Sequence, residues 1–333
     1  MDADAFLSGL KTIASVKVQN KIVFVSDRTR SDICDLMRKA YKVGIRWNYA
    51  AKNPFVDSPA APDKAKSPER KIWSTHELRR ALQECKNPRL FKALILCLSL
   101  SLRIGELCAL TWDCIDISPE SVAEGTAYAH INKQLIRISV AAYNEIDKKG
   151  DIFYQFPSFS ARYATGKASR QTMLVLKKLK TGSSERRVYL PKSICMLLQE
   201  WKETQEKNKK ILGSQYYDYG LVFCHEDGRP ITEEVVNKDL KKLCQELGVP
   251  PIHFHDIRHS SATVKLRLSN GNVKAVQHEL GHSTSSMTLQ IYTHNQTEDS
   301  QEMAQVFETK FLTSVDLARS LPDLKTQTHQ QQV

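Results

Sequence analysis

The stretch from His255 to Tyr292 (HDIRHSSATVKLRLSNGNVKAVQHELGHSTSSMTLQIY) brings together residue types that could act on a phosphate group. His255 and Arg258 are three residues apart, so on a helix they project from the same face. Tyr292 lies near the end of the last of three predicted helical segments, which are separated by residues 269–271 and 281–285. A guanidinium, an imidazole and a phenol could hold a phosphate between them.

Arg103 is the second unusual position, in the segment LSLRIGELCAL. It is either a surface arginine paired with Glu106 at a helix junction, or a partly buried cation that Glu106 holds and directs into a cleft. Burying an arginine is costly unless it is paired or serves an anionic ligand, which favours the second interpretation. Lys180, in a turn between two predicted strands, carries no functional information by itself.

Two other kinds of site, a metal site and a serine hydrolase site, are disfavoured because their sequence motifs are missing. His253, His255 and His259 lie close together, but the chain has neither an HEXXH nor a CxxC motif, so we expect no metal site. A GxSxG nucleophile elbow is also missing, which disfavours a serine hydrolase. The eight cysteines are scattered among apolar residues and are predicted to be reduced, buried thiols. We expect no cofactor.

The charge balance points to a polyanionic partner. The chain has 48 Lys and Arg against 37 Asp and Glu, a formal net charge of +11. Such an excess favours nucleic acid, because each phosphate contact releases counterions. No N-terminal signal-like apolar segment occurs, and no uninterrupted apolar run approaches the length of a membrane span. These features predict a cytoplasmic protein with no membrane contact.

Composition and periodicity predict a mainly α protein with a small antiparallel β-sheet, in two folded parts. Residues 1–52 read as a small helical domain, residues 53–72 as a proline-rich linker, 73–313 as the main domain and 314–333 as a disordered tail. Strands are predicted over 128–138, 173–179 and 187–190, the last two as a hairpin. The first domain carries a basic face, which is either solvated or in contact with phosphates: Arg28, Arg30, Arg38, Lys39, Lys42 and Arg46.

Taken together, these motifs resemble the tyrosine recombinase (phage integrase) family, and are most similar to integrases of mobile elements in Gram-positive bacteria. The family's arginine motif matches LRIGEL at Arg103, and its His-x-x-Arg-His motif matches His255 to His259. Its Leu-Gly-His motif matches residues 280–282. Tyr292 stands ten residues after His282, in the place of the family's tyrosine. The family's β-hairpin lysine matches Lys180 in LKTGSSERRVYLP.

The resemblance implies the family's catalytic-domain fold with a short helical part before it, and it implies a site-specific DNA recombinase that integrates or excises a mobile element. By this likeness Tyr292 is the nucleophile that forms a 3′-phosphotyrosyl link, while Arg103 and Arg258 hold the non-bridging oxygens. Lys180 protonates the leaving 5′-oxygen, His255 is the general acid/base and His282 donates a hydrogen bond to the phosphate. Glu106 supports Arg103.

The resemblance also implies partners: double-stranded DNA at attachment sites in the nucleoid, a homotetramer on paired sites, and an excisionase or host DNA-bending protein. Two departures stand out. Residues 1–52 resemble only the last helices of the family's core-DNA-binding domain, which raises the expectation of a truncated domain, and the segment 141–170 is a long insertion. A type IB topoisomerase-like enzyme and a truncated DNA-binding remnant without recombination activity are the alternatives.

Overall fold

The computed structural model describes residues 2–11, 24–56, 58, 72–144, 151–159, 172–179, 182–269 and 271–281. The chain divides into two compact units, Met1–Arg70 and Lys71–Val333. Several predictions concern residues outside the described ranges: the proposed roles of Lys180, His282 and Tyr292, the third helical segment of the 255–292 stretch, most of the linker and of the insertion, and the C-terminal tail.

The first unit is built on two helices, α1 (Ala3–Ser8) and α2 (Asp27–Arg46). A small core forms where Leu7 and Cys34 pack with Phe55, which is fully buried although the sequence placed it in the linker. Arg38 is tied to that core, since its Nε donates to the Phe55 carbonyl at 2.7 Å. The predicted domain boundaries remain a prediction.

The second unit is mainly helical, as predicted. Ser74 and Glu77 form the expected capping box at the start of its first helix, because each side chain accepts the other residue's backbone N–H. The nine helices described in this unit are α3 (Thr75–Glu84), α4 (Pro88–Leu100), α5 (Ile104–Cys108), α6 (Pro119–Glu124), α7 (Val140–Asn144), α8 (Lys192–Leu212), α9 (Glu233–Leu247), α10 (Phe254–Leu268) and α11 (Val273–Leu280).

The β-structure forms two antiparallel three-stranded sheets rather than one. Their strands are β1 (Ile115–Asp116), β2 (Tyr128–Ile131), β3 (Lys133–Ser139), β4 (Ile152–Phe156), β5 (Thr172–Lys178) and β6 (Arg186–Tyr189). The first sheet has the order β1-β2-β6 and the second β3-β5-β4. The single strand predicted over 128–138 is therefore divided at Asn132, and its two halves belong to different sheets.

The prediction that β5 and β6 form a hairpin is wrong. Lys133 of β3 pairs with Lys178 of β5, and Ile131 of β2 pairs with Arg186 of β6. β5 and β6 therefore do not pair with each other. They follow one another along the segment formed by β2 and β3, and both are antiparallel to it. The turn chemistry of residues 180–184 indicated a reversal, whereas strand pairing puts the segment between β5 and β6 opposite Asn132. We call this segment, of which Leu179 and residues 182–185 are described, the bulge. The Leu179 N–H donates to the Asn132 carbonyl at 3.3 Å, at the point where this bulge begins.

The core of the second unit centres on α4, whose buried residues lie on more than one face: Leu90, Ala93, Leu94, Leu96, Cys97 and Leu100. Helix α10 packs on α4, and Trp73 joins the start of the unit to α10 and to the segment that precedes it. The Trp73 N–H donates to Ser260 Oγ at 3.2 Å, and its indole N–H donates to the Pro250 carbonyl at 3.2 Å. This packing places the N-terminal half of α10 beside the turn that follows α4.

Candidate active site

Glu106 is a buried carboxylate at the centre of the site, only 2% exposed. It lies in α5, three residues after Arg103. Its Oε2 accepts the Arg103 backbone N–H at 3.0 Å, and its Oε1 accepts from the Arg103 guanidinium at 2.7 Å. Glu106 thus caps the start of α5 and fixes the Arg103 side chain at the same time.

Two further arginines converge on the same carboxylate. Arg186, in β6, donates from Nη2 to Glu106 Oε2 at 2.9 Å, and Arg258, in α10, brings Nη1 to 3.7 Å from that oxygen. The side chains of Arg186 and Arg258 are each 1% exposed, whereas that of Arg103 is 34% exposed. The three guanidinium groups therefore form a buried cluster with Arg103 on its open side.

The carboxyl end of α11 completes the cluster through three consecutive backbone carbonyls. Arg186 Nε donates to the carbonyl of Glu279 at 2.6 Å, Arg258 Nη2 donates to that of Leu280, and Arg103 Nη2 donates to that of Gly281 at 3.4 Å. The last carbonyls of a helix lack partners within the helix and carry partial negative charge. Three cations satisfy them here, which fixes the chain immediately before residue 282.

Two residues with a left-handed backbone conformation allow the three arginines to reach the same group of carbonyls. Ser101 has a φ of 51° and ends α4, and its carbonyl accepts from Arg186 at 3.3 Å and also from Arg258. Gly281 has a φ of 59° and ends α11. A Cβ atom at Gly281 would lie 3.2 Å from the Ser184 Cα and 3.3 Å from the Arg186 guanidinium. Only glycine fits both the backbone conformation and the close approach.

The electrostatics of the cluster favour an anion. Burial by itself raises the pKa of Glu106, but the charges of Arg186, Arg258 and Arg103 outweigh it and hold that pKa below its ordinary value. Burial and the charge of Arg103 lower the pKa of Arg258 to about 9 although Glu106 opposes this. With one carboxylate against three guanidinium groups, the cluster keeps two uncompensated positive charges, which an anionic ligand would stabilise.

A cleft of about 620 Å³ opens beside the exposed side of Arg103. Its lining includes Ser184 and Leu179 from the ends of the bulge, and Gln134 from β3. Leu179 directly precedes Lys180 in the sequence. Arg103 is the arginine of the cluster that lines this cleft, and it shares the lining with the carboxylates of Glu233 and Glu234.

His255 lies in the first turn of α10 and is exposed, unlike Arg258 one turn further along the same helix. Its ring contacts the ring of the buried His259 in an edge-to-face arrangement, with 4.7 Å between centroids and an interplanar angle of 88°. His259 therefore restricts the orientation of the His255 ring.

The structure thus brings together Arg103, Glu106 and Arg258, and it places His255 on the same helix as Arg258. The sequence reasoning missed Arg186 altogether. Its position immediately before the alternating segment Arg187–Leu190 could have revealed it, because this alternation puts residue 186 on the buried face of the strand.

Two negative findings hold for the residues that the structure describes. No group of three or more His, Cys, Asp or Glu side chains among them is arranged to hold a metal ion. Every helix in these ranges is too short or too polar to cross a membrane.

Comparison with known proteins supports the motifs. The model of the phage integrase family matches residues 162–299. The chain is 28% identical over 297 residues to the tyrosine recombinase XerC-like protein of Caldanaerobacter subterraneus subsp. tengcongensis, covering 86% of this chain and 68% of that protein. It is 24% identical over 282 residues to the ICEBs1 integrase of Bacillus subtilis, covering 84% of this chain and 65% of that protein. The chain therefore spans about two thirds of the length of these relatives.

The fold is similar to that of the Tn1549 transposon integrase, solved in complex with transposon right end DNA. The TM-score is 0.58 with 20% identity, over 85% of this chain and 79% of that one. A second structure of the same integrase, in complex with a circular intermediate DNA, gives a TM-score of 0.60 with 18% identity, over 91% of this chain and 84% of that one. These matches confirm the predicted fold class, a tyrosine recombinase catalytic-domain fold.

Residues 162–299 thus match the phage integrase family, and most of the chain is similar to tyrosine recombinases, a class of DNA strand transferases. The family resemblance that the motifs indicated is thereby confirmed. The roles of the individual site residues remain predictions.

We expect Glu106→Gln to lower the free energy of unfolding by about 3–5 kcal/mol at pH 7, because it leaves buried guanidinium groups without their carboxylate. The pKa of Glu106 is depressed in the folded state. The contribution of Glu106 to the free energy of unfolding is therefore fully present above the ordinary glutamate pKa, and it is lost as the pH falls through the lower pKa of the folded state. Urea unfolding at several pH values measures this difference.

Glu84→Gln is the matched control, since Glu84 forms an ion pair with Arg80 at 2.8 Å in which both side chains are at least 40% exposed. It is expected to cost less than about 1 kcal/mol. Equal effects of the two substitutions would contradict the assignment of Glu106 as the centre of the cluster.

We expect Gly281→Ala to destabilise the protein more than Gly248→Ala does. Gly248 ends α9 with a φ of 65°, and a Cβ there meets nothing within 4 Å, so its substitution carries only the left-handed backbone cost of about 1–2 kcal/mol. At Gly281 the contacts with Ser184 and Arg186 add about 1–3 kcal/mol of overpacking. Thermal unfolding of both variants makes the comparison, and equal losses would refute the close approach at Gly281.

Proposed function

We propose that this protein is a site-specific DNA recombinase that cuts and rejoins DNA through a 3′-phosphotyrosyl intermediate, and that it integrates or excises a mobile element. The match of residues 162–299 to the phage integrase family and the similarity to a XerC-like tyrosine recombinase support the reaction class. The similarity to the ICEBs1 integrase and to the Tn1549 transposon integrase supports a mobile element as the substrate, with double-stranded DNA at its ends as the partner.

The observation that supports this proposal most is the buried cluster of three arginines around the single carboxylate of Glu106. An anion would stabilise a cluster with two uncompensated positive charges, and a phosphodiester has the right charge and oxygen geometry for guanidinium groups. Arg103 lies on the open side of the cluster, where a phosphate in the cleft could reach it.

In the proposed reaction, the Tyr292 hydroxyl oxygen attacks the scissile phosphorus and the bond from phosphorus to the 5′-oxygen breaks. His255 accepts the tyrosine proton, and Lys180 gives a proton to the leaving 5′-oxygen, so that a free 5′-hydroxyl results. The phosphotyrosyl ester conserves the energy of the broken bond, and attack by another strand's 5′-hydroxyl reverses the chemistry and joins the strands.

Arg103 and Arg258 are proposed to stabilise the charge that develops on the non-bridging oxygens, with a hydrogen bond from His282. The guanidinium of Arg258 has five N–H groups, and its bonds to the carbonyls of Ser101 and Leu280 use two of them. Glu106 holds the two arginines before the DNA arrives, so little reorganisation is needed in the transition state.

In the first unit, the basic face of α2 is proposed to contact DNA phosphates. Lys39, Lys42 and Arg46 are exposed there, next to the exposed aromatic residues Trp47 and Tyr49. Arg38 contributes less, because its guanidinium is engaged with the Phe55 carbonyl and with Asp35. A homotetramer on paired sites, with an excisionase or a host DNA-bending protein, completes the proposal.

We expect the protein to form a covalent adduct with a nicked suicide substrate that carries an end of the mobile element. Loss of the short strand beyond the nick prevents religation and traps the phosphotyrosyl link, which denaturing gel electrophoresis detects. Tyr292→Phe removes the attacking oxygen and is expected to abolish the adduct.

Tyr189→Phe is the control, because Tyr189 is an exposed tyrosine of β6 and should leave the adduct yield unchanged. An adduct that persists in Tyr292→Phe would refute the nucleophile. DNA binding without any adduct in the unsubstituted protein would instead favour a DNA-binding protein that has lost recombination, and relaxation of supercoils without strand joining would favour a topoisomerase.

A further inference from the structure

We propose that Arg186 is a positioning residue of the active site: its buried guanidinium sets the places of Arg103 and Arg258 without contacting the phosphate itself. This inference rests on the proposed function for its effect on DNA cleavage. The geometric part, that Arg186 fixes the two other arginines, is testable on the protein alone.

The hydrogen bonds of Arg186 argue against a direct phosphate contact, because it donates to four protein oxygens whereas Arg258 donates to two. The Arg186 side chain is 1% exposed, and all three of its nitrogen atoms already donate to protein oxygens. Nε donates to the Glu279 carbonyl at 2.6 Å, Nη1 to the Ser184 carbonyl at 3.0 Å, and Nη2 to Glu106 Oε2 at 2.9 Å and the Ser101 carbonyl at 3.3 Å. Arg103, not Arg186, is the arginine of the cluster that lines the cleft.

The four acceptors of Arg186 come from four separate parts of the second unit. They are the bulge that follows β5, the turn between α4 and α5, helix α5 itself and the carboxyl end of α11. One side chain therefore joins Ser184 in the bulge to the carboxyl end of α11. A lysine could not replace it, because a single ammonium nitrogen cannot reach acceptors spread around a planar guanidinium.

Arg186 also shares its acceptors with the two other arginines. Glu106 Oε2 accepts from Arg186 and from the Arg103 backbone, and the Ser101 carbonyl accepts from Arg186 and Arg258. Without Arg186, the Glu106 carboxylate loses its shortest contact at Oε2, and Arg258, now 3.7 Å away, moves toward it. Arg258 would then leave the Leu280 carbonyl, and the end of α11 would lose two of its three cations.

The test compares Arg186→Lys with Arg187→Lys. The two arginines are adjacent in β6, but Arg187 is exposed and lies over the Tyr128 ring at 4.8 Å. In the DNA-free protein, ¹H–¹⁵N spectra are expected to show shifts of the Arg103 and Arg258 Nε–H signals and of the Gly281 amide in Arg186→Lys. The same signals should stay in place in Arg187→Lys.

In single-turnover cleavage of the suicide substrate, Arg186→Lys is expected to lower the rate at saturating DNA by about 100-fold, because small misplacements of catalytic groups have effects of that size. Its Kd for DNA should stay within about threefold of the unsubstituted value, since DNA affinity is spread over many phosphate contacts. Arg187→Lys should cleave within about threefold of the unsubstituted rate, because it changes no contact of the cluster.

Unmoved arginine signals, or a normal cleavage rate in Arg186→Lys, would overturn the proposal. A defect confined to Kd would also overturn it, because it would make Arg186 a DNA ligand. If the unsubstituted protein forms no adduct, the proposed function fails while the spectra still decide whether Arg186 positions the cluster. Arg186→Gln, which keeps a planar donor, takes the place of Arg186→Lys if circular dichroism shows that the lysine variant is unfolded, with the same expected results.

Discussion

The ion pairs between the Glu106 carboxylate and its three arginines are the interaction on which the rest of the site depends. A buried carboxylate is costly to desolvate, and so is each of the guanidinium groups of Arg186 and Arg258. The arginines keep the buried carboxylate ionised, and the carboxylate in turn opposes the repulsion among the arginines. In the proposed function, the excess positive charge of the cluster prepares a place for a phosphate before DNA is bound, which a neutral pair would not do.

The same cluster explains why short motifs that are far apart in the sequence belong together. Arg103 and Glu106 follow the left-handed residue Ser101, and Gly281 provides a second left-handed position at the end of α11. At both turns, backbone carbonyls accept hydrogen bonds from the arginines. In the Leu-Gly-His motif, these acceptors are the carbonyls of Leu280 and Gly281. Anchoring that helix end with charge fixes where the chain toward Tyr292 starts.

The sequence predicted the local parts of this arrangement and missed the distant ones. The pairing of Arg103 with Glu106 follows from a three-residue spacing, and Arg258 was recognised from its motif. The third arginine, Arg186, is 80 residues from its carboxylate partner, and no local pattern indicates a contact over that separation. The division of the predicted strand at Asn132 was missed for the same reason, because pairing across a sheet depends on partners that periodicity does not identify.

The central claim is that Glu106 stays ionised because three arginines surround it, and its own titration tests this most directly. The ¹³C shift of the Glu106 carboxyl, followed by NMR as the pH is lowered from neutral, reports the pKa in the folded protein. The account predicts a midpoint below the ordinary glutamate value of about 4.3, in spite of the burial that by itself would raise it. A midpoint at or above that value would show that burial outweighs the arginines, and would contradict the account.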